Sequence, residues 1–293
     1  MTTDLELFTA TAQRAANEVI DSYSTSFGKA TRLLGVRHRQ HVRAIYALVR
    51  VADEIVDGVA AQAGLSASQQ RGALERFEEE THRALDLGYS ADVVVHAFAR
   101  TARECGIGED LTRPFFDSMR MDLDPARVDD ALYTAAEHDR YVYGSAEVVG
   151  LMCLRVFMRG ERHGPEVAAA VEHGARRMGQ AFQDINFLRD LHDDAMMGRS
   201  YLSATGVLDS VGKDAWVGRA REALADADAV VRYLPRDARA AVRCAHDVFA
   251  DLVGRIERVP VDDLYRRRLR VPNSRKAWIA VRAWTKTRME GAA

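Results

Sequence analysis

Proline is scarce in this sequence and arrives late: there are six in 293 residues, and the first is Pro114. Polyproline and linker-dominated architectures are excluded, and long unbroken helices are permitted. Cysteine is nearly absent. Cys105, Cys153 and Cys244 stand far apart with no C-x-x-C pair, which excludes a disulfide framework and a thiolate zinc site. No charge sign dominates: 41 Lys plus Arg face 43 Asp plus Glu, a net charge of −2. That balance argues against a nucleic-acid partner, which would demand a basic excess. Long apolar runs are missing, and the longest, residues 148–154, falls well short of the ~20 residues that span a bilayer. The opening Met1-Thr-Thr-Asp-Leu-Glu6 lacks the basic region of a secretion signal, so a cytoplasmic location is expected. Common catalytic loops are missing as well. Gly106-Ile-Gly108 has Leu111 where a third glycine would stand, and no G-x-x-x-x-G-K-[ST], G-x-S-x-G or H-E-x-x-H occurs.

What is present is helical periodicity. Val42, Ile45, Tyr46, Val49 and Ala52 recur at helical spacing, as do Val93, Val94, Ala97 and Phe98, then Val248, Phe249, Leu252 and Ile256. No sustained period of two is found. The pattern predicts an all-α protein of about eight to twelve helices, folded as one domain over residues 1–293. Breaks are expected at residues 58–64, 88–90, 106–108, 122–125, 160–165, 198–212 and 259–263. His38 and His41, in a basic stretch, read as surface residues rather than metal ligands.

Two carboxylate ladders stand out. Asp53 and Asp57 lie four apart, and Tyr46, Arg50, Asp53 and Asp57 fall within about 60° of one helix face. Asp190 and Asp194 repeat the spacing, with Gln183 and Asn186 within about 80° on the same face. Apolar residues interleave both ladders, so both helices are expected to be largely buried. Buried like charges at i,i+4 need cations. Mg²⁺ suits such a stripe, because it takes a few carboxylate oxygens and leaves positions for substrate phosphates. Two such helices face to face would make a cavity with a charged rim and apolar walls, fit for a diphosphate on a long hydrocarbon. Asp247 and Asp251 share the spacing but have no Arg or amide ladder around them, and read as structural.

Longer segments carry a resemblance. Ser22-Tyr-Ser-Thr-Ser-Phe27, the helix from Ala44 through Arg50-Val-Ala-Asp-Glu-Ile-Val-Asp57, Tyr141-Val-Tyr-Gly-Ser-Ala-Glu-Val-Val-Gly150, and Gly179-Gln-Ala-Phe-Gln-Asp-Ile-Asn-Phe-Leu-Arg-Asp-Leu-His-Asp-Asp194 with Gly198-Arg-Ser-Tyr-Leu202 resemble the squalene and phytoene synthase family of head-to-head prenyl transferases. The basic tail Arg267-Arg-Leu-Arg-Val-Pro-Asn-Ser-Arg-Lys-Ala-Trp278 is similar to that of bacterial phytoene synthases. Three positions depart from the family pattern: Glu147 replaces a glycine, Ser203 a proline and Asp184 an apolar residue.

The resemblance implies a helical bundle of the isoprenoid synthase type with a central cavity. It implies condensation of two geranylgeranyl diphosphates to phytoene through a cyclopropylcarbinyl diphosphate. The alternatives are a C30 relative using farnesyl diphosphate, a synthase that stops at the cyclopropyl stage, and a non-catalytic helical binding protein on the same fold. Asp53, Asp57, Asn186, Asp190 and Asp194 would hold Mg²⁺, for which Mn²⁺ substitutes, with Tyr141 also catalytic. Ser24, Ser26, Phe27, Tyr46, Arg50, Gln183, Asn186, Arg189 and Tyr201 would bind substrate. Phe27, Tyr141, Met152, Phe157 and Phe182 are candidate walls of a dry pocket. Small residues at Gly144, Ser145, Ala146, Gly150, Gly179 and Ala181 either leave room for a long chain or let helices pack closely. Arg266, Arg267, Arg268, Arg270, Arg275 and Lys276, beside Trp278, Ile279 and Trp284, suggest reversible attachment to the inner face of a membrane.

Overall fold

The structure is a computed structural model that describes residues 2–24, 27–124, 134–196, 201–202 and 207–290. Among these residues there is no strand. The chain runs through α1 (Asp4–Tyr23), α2 (Phe27–Thr31), α3 (Val36–Val56), α4 (Val59–Gln62), α5 (Ala67–Leu87), α6 (Val93–Cys105), α7 (Glu109–Asp122) and α8 (Ala135–Val142). A π-helical turn (Tyr143–Glu147) joins α8 to α9 (Val148–Met158), followed by α10 (Pro165–Met196), α11 (Ser210–Val231), α12 (Arg236–Glu257), α13 (Val261–Arg266) and α14 (Asn273–Met289). The all-α expectation holds, and helices break close to the expected positions at residues 58–64, 88–90, 106–108, 160–165 and 259–263, whereas the breaks at 32–35, 232–235 and 267–272 are not among those expected. There are more helices than expected because α2, α4 and α13 are too short to show a repeat.

Local signals explain the ends. Thr3, Ser66 and Thr134 each close a capping box with the Glu or Gln three residues on, and Asp92 and Asp209 cap α6 and α11. Gly88 and Gly106 end α5 and α6 at φ 75° and 70°, a conformation that costs other residues a Cβ clash.

Two apolar cores flank a central cavity. One joins α3, α5, α6, α7 and α9 through Ile45, Leu48, Leu74, Phe98, Phe115, Phe116 and Met152. The other joins α10 to α14 through Ile185, Leu188, Leu224, Phe249, Ile256, Leu264 and Ile279. The stretch Ala136–Met158, with mean hydropathy 1.3, is long and apolar enough to cross a membrane by length and composition, which run length alone did not reveal. In this fold it is an interior wall, with Val148, Met152 and Val156 fully buried.

His38 and His41 correct the sequence reading: both are buried. They share the inward stripe of α3 while Arg37 points out. His38 Nε2 lies 3.1 Å from Asp237 Oδ1, and His41 Nδ1 lies 3.0 Å from Thr101 Oγ1. Asp251 is structural as expected: it accepts hydrogen bonds from Arg255 (2.6 Å) and Arg275 (2.7 Å), fastening α14 to α12.

His138 on α8 stacks on Trp216 at 4.8 Å and meets Phe187 edge-on. Burial first, then nearby Arg219, lowers its pKa from 6.5 to about 4. Between those values the unfolded chain takes up a proton that the folded chain refuses. Stability therefore falls as pH drops from about 6.5 to about 4, and is unaffected by this group above that window. His138→Phe, which keeps a ring on Trp216, is expected to flatten the acid side of a Tm-against-pH curve, recovering at most about 3 kcal/mol. Parallel curves for the two proteins would contradict this.

Candidate active site

α3 and α10 place their ladders on opposite sides of the mouth of a cavity of about 890 Å³. Asp53, Asp57, Asn186, Asp190 and Asp194 all line it, as do Ser24, Phe27, Tyr46, Arg50, Tyr141, Gln183, Arg189 and Tyr201. Ser26 lies outside the described residues, as do Gly198, Arg199, Ser200 and Ser203. Every other expected site residue is therefore brought to one cavity.

The electrostatics of the mouth are uneven. Asp53 is half-buried in the cavity wall; burial first, and then the charge of Asp57, push its carboxyl well above the usual carboxylate range, against the pull of Arg50. Arg50 pairs with Glu54 one turn on and lies 4.4 Å over the ring of Tyr23. Burial also raises the Tyr46 phenol, opposed by its hydrogen bond with Ser24. Across the mouth, Asp190 accepts from Arg189 Nε (2.7 Å) and from Arg268 Nη2 (3.2 Å), and Arg268 Nε forms an ion pair with it at 2.6 Å. Arg268 comes from the tail, far away in sequence, and supplies a counter-charge from outside both ladders. Arg270 and Lys276 also line the mouth. Burial, then Lys29, Arg189 and Arg270, lower the Lys276 ammonium below its usual range. A cluster of cations that depresses one of its own members is a place for an anion.

Below the charges the walls are aromatic and then aliphatic. Phe182 stacks on Phe249 at 3.9 Å, with Phe27 at 5.8 Å and 5.7 Å from the two. Phe187 stacks on Tyr201 at 4.6 Å, and Tyr141 lies 5.6 Å from Tyr201. Asp122 at the end of α7 ties this wall together, accepting from the Tyr141 hydroxyl (3.0 Å) and the Tyr201 hydroxyl (3.3 Å). Sequence reasoning missed Asp122, since a single Asp in Met121-Asp-Leu123 has no ladder to mark it. It also passed over Phe249, whose helical spacing reads as ordinary core.

Other expectations need correction. Met152 is fully buried in the first core and does not line the cavity, whereas Phe157 does. Glu147 lies outside the cavity, where Arg176 donates to it at 2.7 Å, so its departure from the family pattern does not reshape the pocket. Asp184 faces α11 and accepts from Arg219 at 3.0 Å, which accounts for a carboxylate in place of an apolar residue.

The donors fit a hard divalent cation. Asn186 Oδ1 is buried with no hydrogen-bond partner, and burial and Asp57 oppose the ionised form of Asp53 more than Arg50 favours it. Among the described residues no three His, Cys, Asp or Glu side chains converge on one point, so the donors stand as two sets, on α3 and on α10.

A helical bundle with two aspartate helices flanking an apolar cavity defines the isoprenoid synthase class. Residues 20–275 match the squalene/phytoene synthase family, and the chain belongs to it. It is 30% identical to phytoene synthase 3 of Zea mays, over 92% of this chain and 65% of that protein. It is 28% identical to 15-cis-phytoene synthase of Synechocystis sp., over 95% of this chain and 86% of that one. Among solved structures, a dehydrosqualene synthase superposes with a TM-score of 0.73 at 21% identity, covering 98% of this chain and 100% of that one.

The glycines of the cavity wall settle a question left open by the sequence. A Cβ on Gly179 would lie 2.4 Å from Ala146 O, and one on Gly150 would lie 2.5 Å from Ala175 O. One on Gly144 would meet Pro114 O at 2.1 Å. Gly150 lets α9 approach α10, Gly179 lets the π-helical turn approach α10, and Gly144 lets that turn approach α7; backbone, not ligand, takes the space beside them. Ala181 is fully buried and does not line the cavity either, although Ser145 and Ala146 do. Gly179→Ala is expected to destabilise the fold by about 1–3 kcal/mol, read as a drop in Tm. An unchanged Tm would show that the two helices have slack.

Proposed function

We propose that this protein is a cytoplasmic prenyltransferase that joins two geranylgeranyl diphosphates head to head, forming phytoene for carotenoid biosynthesis with Mg²⁺ or Mn²⁺ as cofactor. The depth of the cavity carries the choice of substrate. Along α10, lining residues run from Val171 to Asp194, and from Asp190 at the mouth to Val171 is nineteen residues, or about 28 Å of helix. An extended geranylgeranyl chain measures about 19 Å and a farnesyl chain about 14 Å, from ordinary C–C bond lengths. The longer chain uses the depth that a farnesyl chain would leave empty.

In the first step the C1–O bond of one diphosphate breaks and the electron pair leaves with the diphosphate. The C2–C3 double bond of the second molecule attacks the cation, and loss of a proton closes a cyclopropylcarbinyl diphosphate. In the second step that diphosphate leaves, the skeleton rearranges to the 1,1′ bond, and a second proton is lost. Asp53 and Asp57 on one side, and Asn186, Asp190 and Asp194 on the other, would hold the metal. The metal, when bound, supplies Lewis-acid stabilisation of the departing diphosphate. Arg50, Arg189, Arg268 and Lys276 place positive charge where phosphate oxygens would sit, guanidinium forks being suited to them. Gln183, Ser24 and Tyr46 offer neutral hydrogen bonds at the same level. Tyr141, Phe187 and Tyr201 present aromatic faces below, which favour a nearby cation by ~1–2 kcal/mol and exclude water.

Exhaustive EDTA treatment is expected to abolish product formation from geranylgeranyl diphosphate, with Mg²⁺ or Mn²⁺ restoring it. Asp53→Asn and Asp190→Asn should each lower turnover by orders of magnitude. Asp247→Asn, on α12 away from the cavity, should leave it near the unaltered level. Turnover that survives EDTA, or an equal loss at Asp247, would sink the metal-ladder reading.

The tail divides between two tasks. Ile279 is buried, and Arg268, Arg270 and Lys276 turn to the mouth. On the outer face of α14, Trp278 is 50% and Trp284 43% exposed, with Val281 and Met289 beside them. Arg275 and Arg282 lie over Trp278, and Arg288 over Trp284. Aromatic rings with cations on one exposed face suit the interface of an anionic bilayer, which supports weak, reversible attachment to the inner membrane face. Binding to anionic vesicles should exceed binding to neutral ones, weaken with salt, and fall in Trp278→Ser/Trp284→Ser. Equal partitioning onto both vesicle types would remove this reading.

A further inference from the structure

One close packing contact lies toward the far end of the cavity. α10 and α11 run antiparallel, and their register is fixed by Arg219 on Asp184 (3.0 Å), Arg177 on Asp226 (2.7 Å) and Val230 on Gly174. A Cβ on Gly174 would lie 2.1 Å from Val230 Cγ2, so Val230 is seated directly on the backbone of α10. Glycine weakens a helix interior, and here its place is explained by the side chain that fills its gap. Both residues line the cavity near the end farthest from Asp190 along α10, one turn short of Val171. Val171 and Leu234 close in around them. The neighbouring walls agree on which end this is. Phe157, near the end of α9, also lines this region and meets His38 from the first turn of α3, whereas Asp53 and Asp57 stand at the other end of α3. Behind Val230, α11 ends at Val231, and the chain turns at the surface.

We infer that Val230, seated on Gly174, is the stop that sets the longest prenyl chain this protein takes. The inference rests on the prenyl diphosphate reading above and names the residue that measures the chain. Its physical content is simple. The diphosphate end is held at the mouth by charge, so the terminal isoprene unit of a longer chain must end against the Val230 methyl groups. A shorter chain never reaches them. A bulkier side chain at 230 raises the floor and excludes the longer chain alone; a smaller one lowers it and admits a chain longer still. Ala181, suggested by the sequence, sits outside the cavity and has no such leverage.

The test is binding, measured by calorimetry with Mg²⁺ present, of unreactive thiolodiphosphate analogues carrying C15, C20 and C25 chains. Val230→Phe is expected to weaken C20 binding about tenfold or more while leaving C15 binding unchanged. Val230→Ala is expected to strengthen C25 binding about tenfold, again with C15 unchanged. Val230→Ala introduces no clash, so it decides the matter alone if Val230→Phe fails to fold by circular dichroism. Chain-length ratios in Val230→Ala that match those of the unaltered protein would overturn the inference. Failure of the unaltered protein to bind any of the three analogues would overturn the prenyl diphosphate reading, and this inference with it.

Discussion

Asp53 cannot ionise at ordinary cost where the fold puts it. Burial and the charge of Asp57 oppose its anion, and Asp122 adds to the opposition from α7. Across the same mouth the opposite conflict exists: Lys276 is held below its usual basicity by burial and by Lys29, Arg189 and Arg270. A stable protein with no other task would pair these groups with one another or replace them by apolar side chains. Here both conflicts sit in the lining of one cavity. Under the proposed function, a divalent cation on the carboxylates and a diphosphate against the basic groups would relieve both. Local conflict that folding does not remove marks a site of function.

Holding that conflict open demands rigid walls, and the walls are rigid because helices touch backbone to backbone. Gly150 brings α9 onto α10, Gly179 brings α10 onto the π-helical turn, Gly144 brings that turn onto α7, and Gly174 takes Val230 from α11. The π-helical turn falls within this packing, between Tyr141, which reaches Asp122, and Val148 in the first core. Its extra residue separates the polar register of α8 from the apolar register of α9. The cavity stays open because its framework is closed.

Much of this was legible in the sequence. The two ladders were visible because i,i+4 spacing puts side chains on one face, whatever the tertiary structure. The all-α class was visible because periodicity survives without knowledge of partners. What sequence could not give depends on distant pairs. Arg268 as the counter-charge of Asp190, Asp122 as the acceptor for two tyrosines, and Asp184 as the partner of Arg219 each join segments that share no local pattern. His38 and His41 misled for a related reason. Their basic neighbours marked the stretch as surface, while the stripe they share turns inward against Asp237 and Thr101. The small residues of the wall were ambiguous in principle, because room for a ligand and room for a backbone look the same in one dimension.

The last segment shows how one helix serves two surroundings without compromise. In α14, Lys276, Ile279, Ala283 and Thr287 recur at spacings of three and four, and they form the inner face, while Trp278, Val281 and Trp284 fall on the outer one. The inner face is locked by Arg275 on Asp251 at one end, and by Arg243 reaching Thr287 (3.1 Å) and Glu290 (2.7 Å) at the other. Lys276 is carried to the mouth by the same fastening. A helix tied at both ends cannot roll its tryptophans inward to hide them, so their exposure is imposed by the contacts that complete the active site. Any contact made by the outer face is thereby held at a fixed distance from the opening through which a hydrocarbon must pass.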